Sequence, residues 1–101
     1  MNKLDSEHKS CPKDHFKLYQ SARQMMKSRN YQNAISSLEN CLNASDCQID
    51  KILKLDMHIT IAFSYFYLSK YNESSYNFSQ AIDICKSSIT QIGKENLNFL
   101  R

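Results

Sequence analysis

Hydrophobic residues recur along the chain at the three- and four-residue intervals that line one face of an α-helix. Leu18, Ala22 and Met25 show this spacing first, after Ser10 as a capping residue and Pro12 in the first turn. The pattern predicts four helices, at about residues 12–28, 31–44, 48–69 and 72–92. We therefore expect an all-α fold built from two tandem antiparallel helix hairpins.

The third and fourth predicted helices differ in their apolar surfaces. From Met57 to Leu68 the third helix is apolar on nearly every side, which is typical of a helix packed between two neighbours. The fourth keeps a strict seven-residue spacing up to Gly93, a residue type that often ends helices. The residues in this spacing are Tyr71, Ser75, Phe78, Ile82, Cys85, Ile89 and Ile92. We expect the third helix to be central and the fourth to end at Gly93.

The chain also repeats itself after a shift of forty residues. The shift aligns Ala22 with Ala62, Met25 with Tyr65, Tyr31 with Tyr71, Leu38 with Phe78, Cys41 with Ala81 and Leu42 with Ile82. A small alanine lets two helices approach closely, and a tyrosine at the turn fills the space between the helices of a hairpin. We infer two copies of one hairpin, at about 12–46 and 47–93, preceded by a polar tail at 1–11.

These positions resemble the tetratricopeptide repeat, in which a small residue and two aromatic residues are followed by alanine and a further aromatic. The matching segments are Ala62-x-x-Tyr65-x5-Tyr71 and Tyr31-x-x-Ala34-x3-Leu38-x-x-Cys41. The sequence departs from the family at Met25 and at Ser74, and its period is longer than the usual one of about 34 residues. The resemblance covers about residues 15–92 and implies a segment of an α-solenoid that binds other proteins.

The long period and the run Ser64-Tyr65-Phe66-Tyr67-Leu68 are similar to the extended repeats of rapsyn and of the Pins-type G-protein signalling modulators. That similarity implies partners among receptor-clustering or cortical-polarity proteins. Proteins of the rapsyn type carry a myristoyl chain on a glycine that follows the initiator methionine, and Asn2 cannot accept one. We therefore do not expect this mode of membrane anchoring.

The composition favours one globular domain in the cytoplasm. Of the 101 residues, 42% are hydrophobic and 23% are charged, and a single glycine and a single proline leave little material for the turns of a many-stranded sheet. The polar segment from Met1 to Ser10 does not form a signal peptide, and no apolar run reaches the roughly 20 residues of a membrane span. The four cysteines include no CxxC pair, and Cys41 and Cys85 fall in phase with apolar helix positions, so we expect reduced, buried thiols.

Two candidate chemical sites are better explained by structural roles. Cys11-x3-His15 has the spacing of half a zinc site, but no second pair with ligand spacing follows it. His58 could act as a general base, yet the neighbouring carboxylate of Asp56 should point to another face of the helix. A glycine-rich phosphate loop is excluded because Gly93 is the only glycine. We expect no catalytic residues, no metal and no cofactor.

The concave surface of a helical-repeat segment is lined by the first helix of each hairpin. The resemblance assigns to this groove Phe16, Tyr19, Arg23, Met26, Lys27, Ile59, Phe63, Phe66 and Tyr67. For Ile59 and Phe66 a place in the core is an equal alternative. Such a groove is aromatic with a basic edge, and it suits an apolar or mildly acidic peptide whose carboxylates would pair with Arg23 and Lys27.

Two other classes of partner are less favoured. Some tetratricopeptide proteins clamp the C-terminal carboxylate of heat-shock chaperones with lysine and asparagine side chains. The matching positions here are Tyr19, Arg23 and Thr60, so only one cation remains. The net charge of +3 is spread along the chain, which does not favour nucleic-acid binding through Arg23, Lys27 and Arg29.

The end of the sequence predicts an open apolar edge. We expect Lys94 to Arg101 to be the start of a fifth helix and of an incomplete third repeat, because the position forty residues after Ala62 falls just beyond Arg101. The residues expected at this edge are Phe78, Ile82, Phe99 and Leu100. The chain would then be a fragment or short isoform of a longer repeat protein, or it would associate with itself or a partner.

The function that this sequence favours is that of a non-catalytic adaptor or scaffold with a peptide-binding groove. The alternative is a structural subunit that forms a homo-oligomer or packs permanently into a larger complex. The two differ in what they bind, because the first is a monomer that holds short peptides and the second is a stable oligomer.

Overall fold

The computed structural model describes residues 14–44 and 48–100, with side chains described as far as residue 89. It contains four helices: α1 (His15–Lys27), α2 (Tyr31–Asn43), α3 (Lys51–Tyr67) and α4 (Tyr71–Leu100). Each helix packs against the next one along the chain, and α1 also contacts α3. No strand occurs in the described ranges. The predicted all-α class is confirmed, and the sequential packing is consistent with two hairpins.

Aspartate side chains begin two of the helices. Asp14 Oδ1 accepts a hydrogen bond from the backbone N–H of Lys17 at 2.9 Å. Asp50 Oδ2 accepts from the backbone N–H groups two and three residues further on, at 3.1 and 3.3 Å. These bonds satisfy donors that have no acceptor within the helix. α1 therefore begins at His15, later than predicted, and Ser10, the expected cap, lies outside the described residues.

The turns within the two hairpins have the same hydrogen bonds. In the first turn the N–H of Arg29 donates to the carbonyl of Met26 at 3.0 Å, and the N–H of Asn30 donates to that of Met25 at 2.7 Å. The equivalent bonds forty residues later measure 2.9 and 2.8 Å, with Ser69 in the place of Arg29. Both turns are Schellman C-caps, in which a residue of positive φ ends the helix. The repeat seen in the sequence thus extends to the backbone of the turns.

Seven buried residues from α1, α2 and α3 form the main core. They are Ala22, Ala34, Ile35, Leu38, Cys41, Met57 and Ile61. The aligned alanines Ala22 and Ala62 are both 0% exposed, as expected of residues at close helix contacts. Because α3 packs against each of the other three helices, its predicted central position is confirmed.

Buried hydroxyl groups in the second hairpin donate hydrogen bonds to backbone carbonyls. Ser74, at a position where the tetratricopeptide pattern has alanine, donates from Oγ to the carbonyl of Ala62 at 2.8 Å. Thr60 and Ser64 each donate to the carbonyl one turn earlier in α3, at 2.9 Å. These bonds remove the cost of burying the hydroxyls. The departure at Ser74 is therefore accommodated by a bond between α4 and α3.

α4 continues through Gly93 and ends at Leu100. The predicted end of the helix at Gly93, and with it the start of a separate fifth helix, is therefore wrong. Glycine inside a helix costs only about 1 kcal/mol relative to alanine. The residues that follow Gly93 include the good helix formers Lys94, Glu95 and Leu97. The assignment of this segment to a third repeat stays a prediction.

α4 also extends beyond the helix that it packs against. The ammonium group of Lys51, the first residue of α3, lies 3.4 Å from the hydroxyl of Ser87 in α4. Residues 88–100 of α4 therefore run past the beginning of α3, over about 20 Å at the α-helical rise.

None of the helices in the described ranges combines the length and the apolarity that crossing a bilayer requires.

Candidate peptide-binding cleft

α1 and α3 enclose an open cleft of about 340 Å³. Its α1 side consists of Tyr19, Arg23 and Met26, which lie at the spacing that places side chains on one helix face. Its α3 side consists of Asp56, Ile59, Thr60, Phe63 and Tyr67. Six of the residues predicted for a peptide-binding groove thus line one cleft, namely Tyr19, Arg23, Met26, Ile59, Phe63 and Tyr67.

The guanidinium group of Arg23 is held against the ring of Tyr19, one turn earlier in α1. Arg23 Nη1 donates to the Tyr19 hydroxyl at 2.9 Å, and the guanidinium carbon lies 5.8 Å from the ring centroid. These contacts orient the cation and occupy only one of the five N–H donors of the arginine. Arg23 therefore presents a positioned positive charge to the cleft.

Two aromatic residues on the α3 side are supported from neighbouring helices. Tyr67 stacks on Tyr31 of α2, with centroids 5.1 Å apart and an interplanar angle of 19°. Phe63 meets Phe78 of α4 edge to face, with centroids 5.2 Å apart. Both residues nevertheless remain exposed. Exposed rings that are fixed by ring contacts provide contact area at a small loss of conformational entropy on binding.

Asp56 is a polar residue of the cleft that was not among the predicted groove residues. Asp56 lines the cleft opposite Arg23, so the two charged side chains of the lining have opposite signs. The hydroxyl of Thr60 donates to the Asp56 carbonyl and is therefore satisfied within α3. The lining itself is electrostatically balanced.

The remaining residues predicted for the groove lie outside the lining of this cleft. Phe16 is exposed and tilts against Tyr19 at a centroid distance of 6.4 Å. Lys27 is the exposed last residue of α1. Phe66 lies near the C-terminal end of α3 and packs against Tyr67 and Tyr71, with ring centroids 5.9 and 5.5 Å away. Phe16 and Lys27 therefore flank the cleft residues on α1 without lining the cleft.

A second and larger cleft, of about 560 Å³, was not predicted. It lies between α2, α3 and α4 and is lined by Glu39, Leu42, Asn43, His58, Ile61, Tyr65, Asn72, Glu73, Tyr76 and Asn77. The Tyr65 hydroxyl donates to Glu39 Oε2 at 2.8 Å. Burial, this hydrogen bond and the charges of Glu39 and Glu73 raise the pKa of Tyr65 to about 12.

The same cleft contains the hydrogen bond of His58. Nδ1 of His58 lies 3.1 Å from Oδ1 of Asn77, while Nδ2 of Asn77 donates to the carbonyl of Glu73 at 3.0 Å. Because Oδ1 of Asn77 can only accept, the tautomer of His58 with its proton on Nδ1 is the one that completes this hydrogen bond. His58 and Asp56 line different clefts, as the sequence analysis expected. A histidine and an asparagine among the apolar positions of two adjacent predicted helices were the signal for this network.

The predicted C-terminal edge is only partly described. Phe78 is partly covered and contacts Phe63, whereas Ile82 is 53% exposed. Cys85, on the same face of α4, is exposed, so the expectation of a buried thiol is confirmed for Cys41 and wrong for Cys85. The side chains of Phe99 and Leu100 lie outside the described part of the structure.

Comparison of the chain with models of protein families, with curated proteins and with solved structures gives no significant match. Among the described residues, no group of three or more histidine, cysteine, aspartate or glutamate side chains could hold a metal ion. The class of protein that the structure defines is a four-helix all-α domain with sequential helix packing and an open aromatic cleft.

Proposed function

We propose that this domain is a non-catalytic adaptor or scaffold module that binds a peptide segment of another protein in the cleft between α1 and α3. The observation that carries the proposal is the convergence of Tyr19, Arg23, Phe63 and Tyr67, from two helices, on one open cleft. Aromatic and arginine side chains dominate the binding energy of many protein interfaces. The cleft has the size and the residue types for one or a few peptide side chains.

The chemistry of the cleft favours an apolar or aromatic peptide side chain with a carboxylate beside it. The rings of Phe63 and Tyr67 provide the apolar wall, and the oriented guanidinium group of Arg23 provides a partner for a carboxylate. Asp56 adds a requirement, because a carboxylate placed next to it would be repelled. The peptide should therefore place its negative charge on the α1 side.

We also propose that the two hairpins are repeats of the tetratricopeptide type, of the extended rapsyn-like or Pins-like form. The proposal is supported by the equivalent Schellman turns and by the buried alanines Ala22 and Ala62, which recur after forty residues. Such a module would act in receptor clustering or in cortical signalling within the cytoplasm. Cys41 and Cys85 are free thiols, which is compatible with that compartment.

The test is a selection from a random-peptide library displayed on phage, with the intact chain immobilised. A selected peptide is then labelled with a fluorophore, and its binding is measured by fluorescence anisotropy. We expect the double substitution Arg23→Glu with Lys27→Glu to weaken binding about tenfold or more, because it reverses the charge that meets the peptide carboxylate. Helicity should be unchanged, since both residues are exposed.

The matched control is Lys54→Glu with Lys70→Glu, which makes the same change in net charge at exposed residues outside the cleft lining. This variant should bind the selected peptide nearly as well as the unaltered chain, apart from a small long-range effect. Equal weakening by both variants would show a general charge effect instead of a site. Failure to select any peptide would contradict the proposal.

The alternative function, that of a structural subunit in an oligomer, is favoured by a different observation. Ile82 and Ile89 of α4 are 53% and 64% exposed, which is unusual for isoleucine. This surface is separate from the cleft between α1 and α3.

A further inference from the structure

α4 carries two parallel stripes of residues at alternating three- and four-residue spacing. The inner stripe faces α3 and is buried or half-buried; it consists of Ser74, Asn77, Ala81, Ile84 and Ser88. The outer stripe is displaced by one residue, or about 100° around the helix. It consists of Ser75, Phe78, Ile82, Cys85 and Ile89, all exposed except for Phe78, which is half-buried. The outer stripe is thus an apolar helix face that the described residues leave largely uncovered.

The first hairpin shows what covers the equivalent face. The shift of forty residues aligns Ser75, Phe78 and Ile82 of α4 with Ile35, Leu38 and Leu42 of α2. In α2 the first two are fully buried in the core cluster together with Met57 and Ile61 of α3. A helix therefore covers this face in the first hairpin. By analogy, a helix is the element that would cover the outer stripe of α4.

The first helix of a second copy is not suited to that position. The residues of α3 that pack with α2, Met57 and Ile61, align with Lys17 and Ser21 of α1. Both α1 residues are polar and exposed, so the outer face of α1 is a solvent-facing cap. Head-to-tail stacking of copies would bury Lys17 against Ile82 without a partner for its charge. The outer stripe of a second copy contains no charged residue, so it can cover this face without burying a charge.

We propose that two copies of this chain associate through the outer stripes of their α4 helices, related by a two-fold axis. The alternating spacing of the stripe is that of a two-helix seam, and a two-fold interface requires one patch to be complementary to itself. Cys85 and Ile89 are both exposed, so a second helix can approach them. The stripe touches the peptide cleft only through the contact of Phe78 with Phe63, and Ile82 and Ile89 lie outside the cleft lining, so the proposal does not depend on peptide binding.

Sedimentation velocity of the full chain over about a hundredfold range of concentration tests the proposal. We expect a concentration-dependent dimer that Ile82→Lys with Ile89→Lys weakens about tenfold or more, because both lysines would be desolvated beside their counterparts. Circular dichroism should show unchanged helicity, since both positions are exposed. The matched control is Ile52→Lys on α3, where the isoleucine is 58% exposed and lies off the stripe; it should dimerise like the unaltered chain.

A second measurement uses the exposed thiol of Cys85 within the stripe. In a chain with Cys11→Ser and Cys47→Ser, maleimide should react mainly with Cys85, because Cys41 is buried and its burial raises the pKa of its thiol. We expect the Cys85 reaction to slow as protein concentration rises, and to become independent of concentration in the Ile82→Lys, Ile89→Lys chain. A monomer at every concentration, or a dimer unaffected by these substitutions, would overturn the proposal.

Discussion

At the scale of single residues, Arg29 and Ser69 carry local backbone strain. Their φ values of 66° and 62° lie in the left-handed region, which costs a residue with a Cβ atom about 1 kcal/mol or more. Glycine is the usual residue at this position of a Schellman turn because it avoids that cost. The domain therefore folds with non-glycine residues at both of these turns.

We expect Arg29→Gly and Ser69→Gly each to raise the free energy of unfolding by about 0.5–1 kcal/mol, measured by urea denaturation. The gain is the difference between relief of the backbone strain and the greater entropy of glycine in the unfolded chain. Ser28→Gly is the control. Ser28 precedes Arg29 and has a φ of −87°, so glycine relieves no strain there and should lower the free energy of unfolding. Destabilisation by all three substitutions would contradict this account of the turns.

The hydroxyl of Tyr65 makes stability dependent on alkaline pH. In the unfolded chain this group ionises near its ordinary pKa of about 10, while in the folded domain its pKa is raised to about 12. The folded state thus keeps a proton that the unfolded state loses. The stabilisation is complete below about pH 10 and declines between about pH 10 and pH 12.

We expect Tyr65→Phe to reduce the loss of unfolding free energy between about pH 10 and pH 12, measured by denaturation at a series of pH values. Glu39→Gln should move the titration of this tyrosine to lower pH, since it removes the negative charge next to the hydroxyl. Near-ultraviolet absorbance follows the tyrosinate directly. A titration of Tyr65 that Glu39→Gln leaves unchanged would show that Glu39 does not contribute to the raised pKa.

At the scale of helices, the close contacts of α3 depend on the small side chain of Ala62. Ala62 is 0% exposed, and its carbonyl accepts the hydroxyl of Ser74 from α4. We expect Ala62→Leu to lower the free energy of unfolding by about 1–3 kcal/mol, because the larger side chain would force α3 and its neighbours apart. Thermal unfolding followed by circular dichroism measures the effect.

The matched control for Ala62→Leu is Phe63→Leu, the adjacent position in the same helix. Phe63 is 42% exposed, so a smaller apolar side chain there should change stability much less. A melting temperature for Ala62→Leu equal to that of the unaltered chain would reject the register of α3 that the forty-residue repeat implies.

The existence and order of the helices followed from the sequence, whereas several ends and contacts did not. Apolar spacing located α2 to within one residue at each end, because Tyr31 and Leu42 lie close to its termini. The spacing could not show that Asp14 would cap α1, nor that a helix would continue through Gly93, since both depend on a balance of small local energies. Helix ends are therefore the part of this fold that periodicity determines least.

The two clefts also differ in how far the sequence could predict them. Tyr19, Arg23 and Phe63 could be placed on one surface because helical spacing and the order of helices determine which faces meet. The network of Tyr65 with Glu39 joins residues of different helices, and its formation depends on the relative rotation of α2 and α3. That rotation is set by packing of the whole core, which no single stretch of sequence specifies.

At the scale of the whole molecule, the core crosses the boundary between the two hairpins. Of the seven residues of the core cluster, Ala22 comes from α1 and Met57 and Ile61 come from α3, while the other four come from α2. The second hairpin adds its own contact of α4 with α3, through Ser74 and Ala81. Each hairpin alone would expose an apolar face that the other covers, and short helices are marginal in water without such packing.

We therefore expect the domain to unfold as one cooperative unit and neither hairpin to fold by itself. Peptides spanning residues 1–46 and 47–101 should each show much less helicity than the intact chain, and neither should give a cooperative thermal transition, because the cut removes Met57 and Ile61 from the core that contains Ile35 and Leu38. Mixing the two peptides should recover part of the helical signal, since the cut leaves every helix whole.

A second cut after residue 29 serves as the control: it also leaves the helices whole, but it separates α1 alone, whose share of the core cluster is Ala22. The peptide from residue 30 to 101 should therefore retain more structure than either hairpin. Native-like helicity and a cooperative transition in either isolated hairpin would show that the forty-residue unit is an independent folding unit, contrary to the shared core.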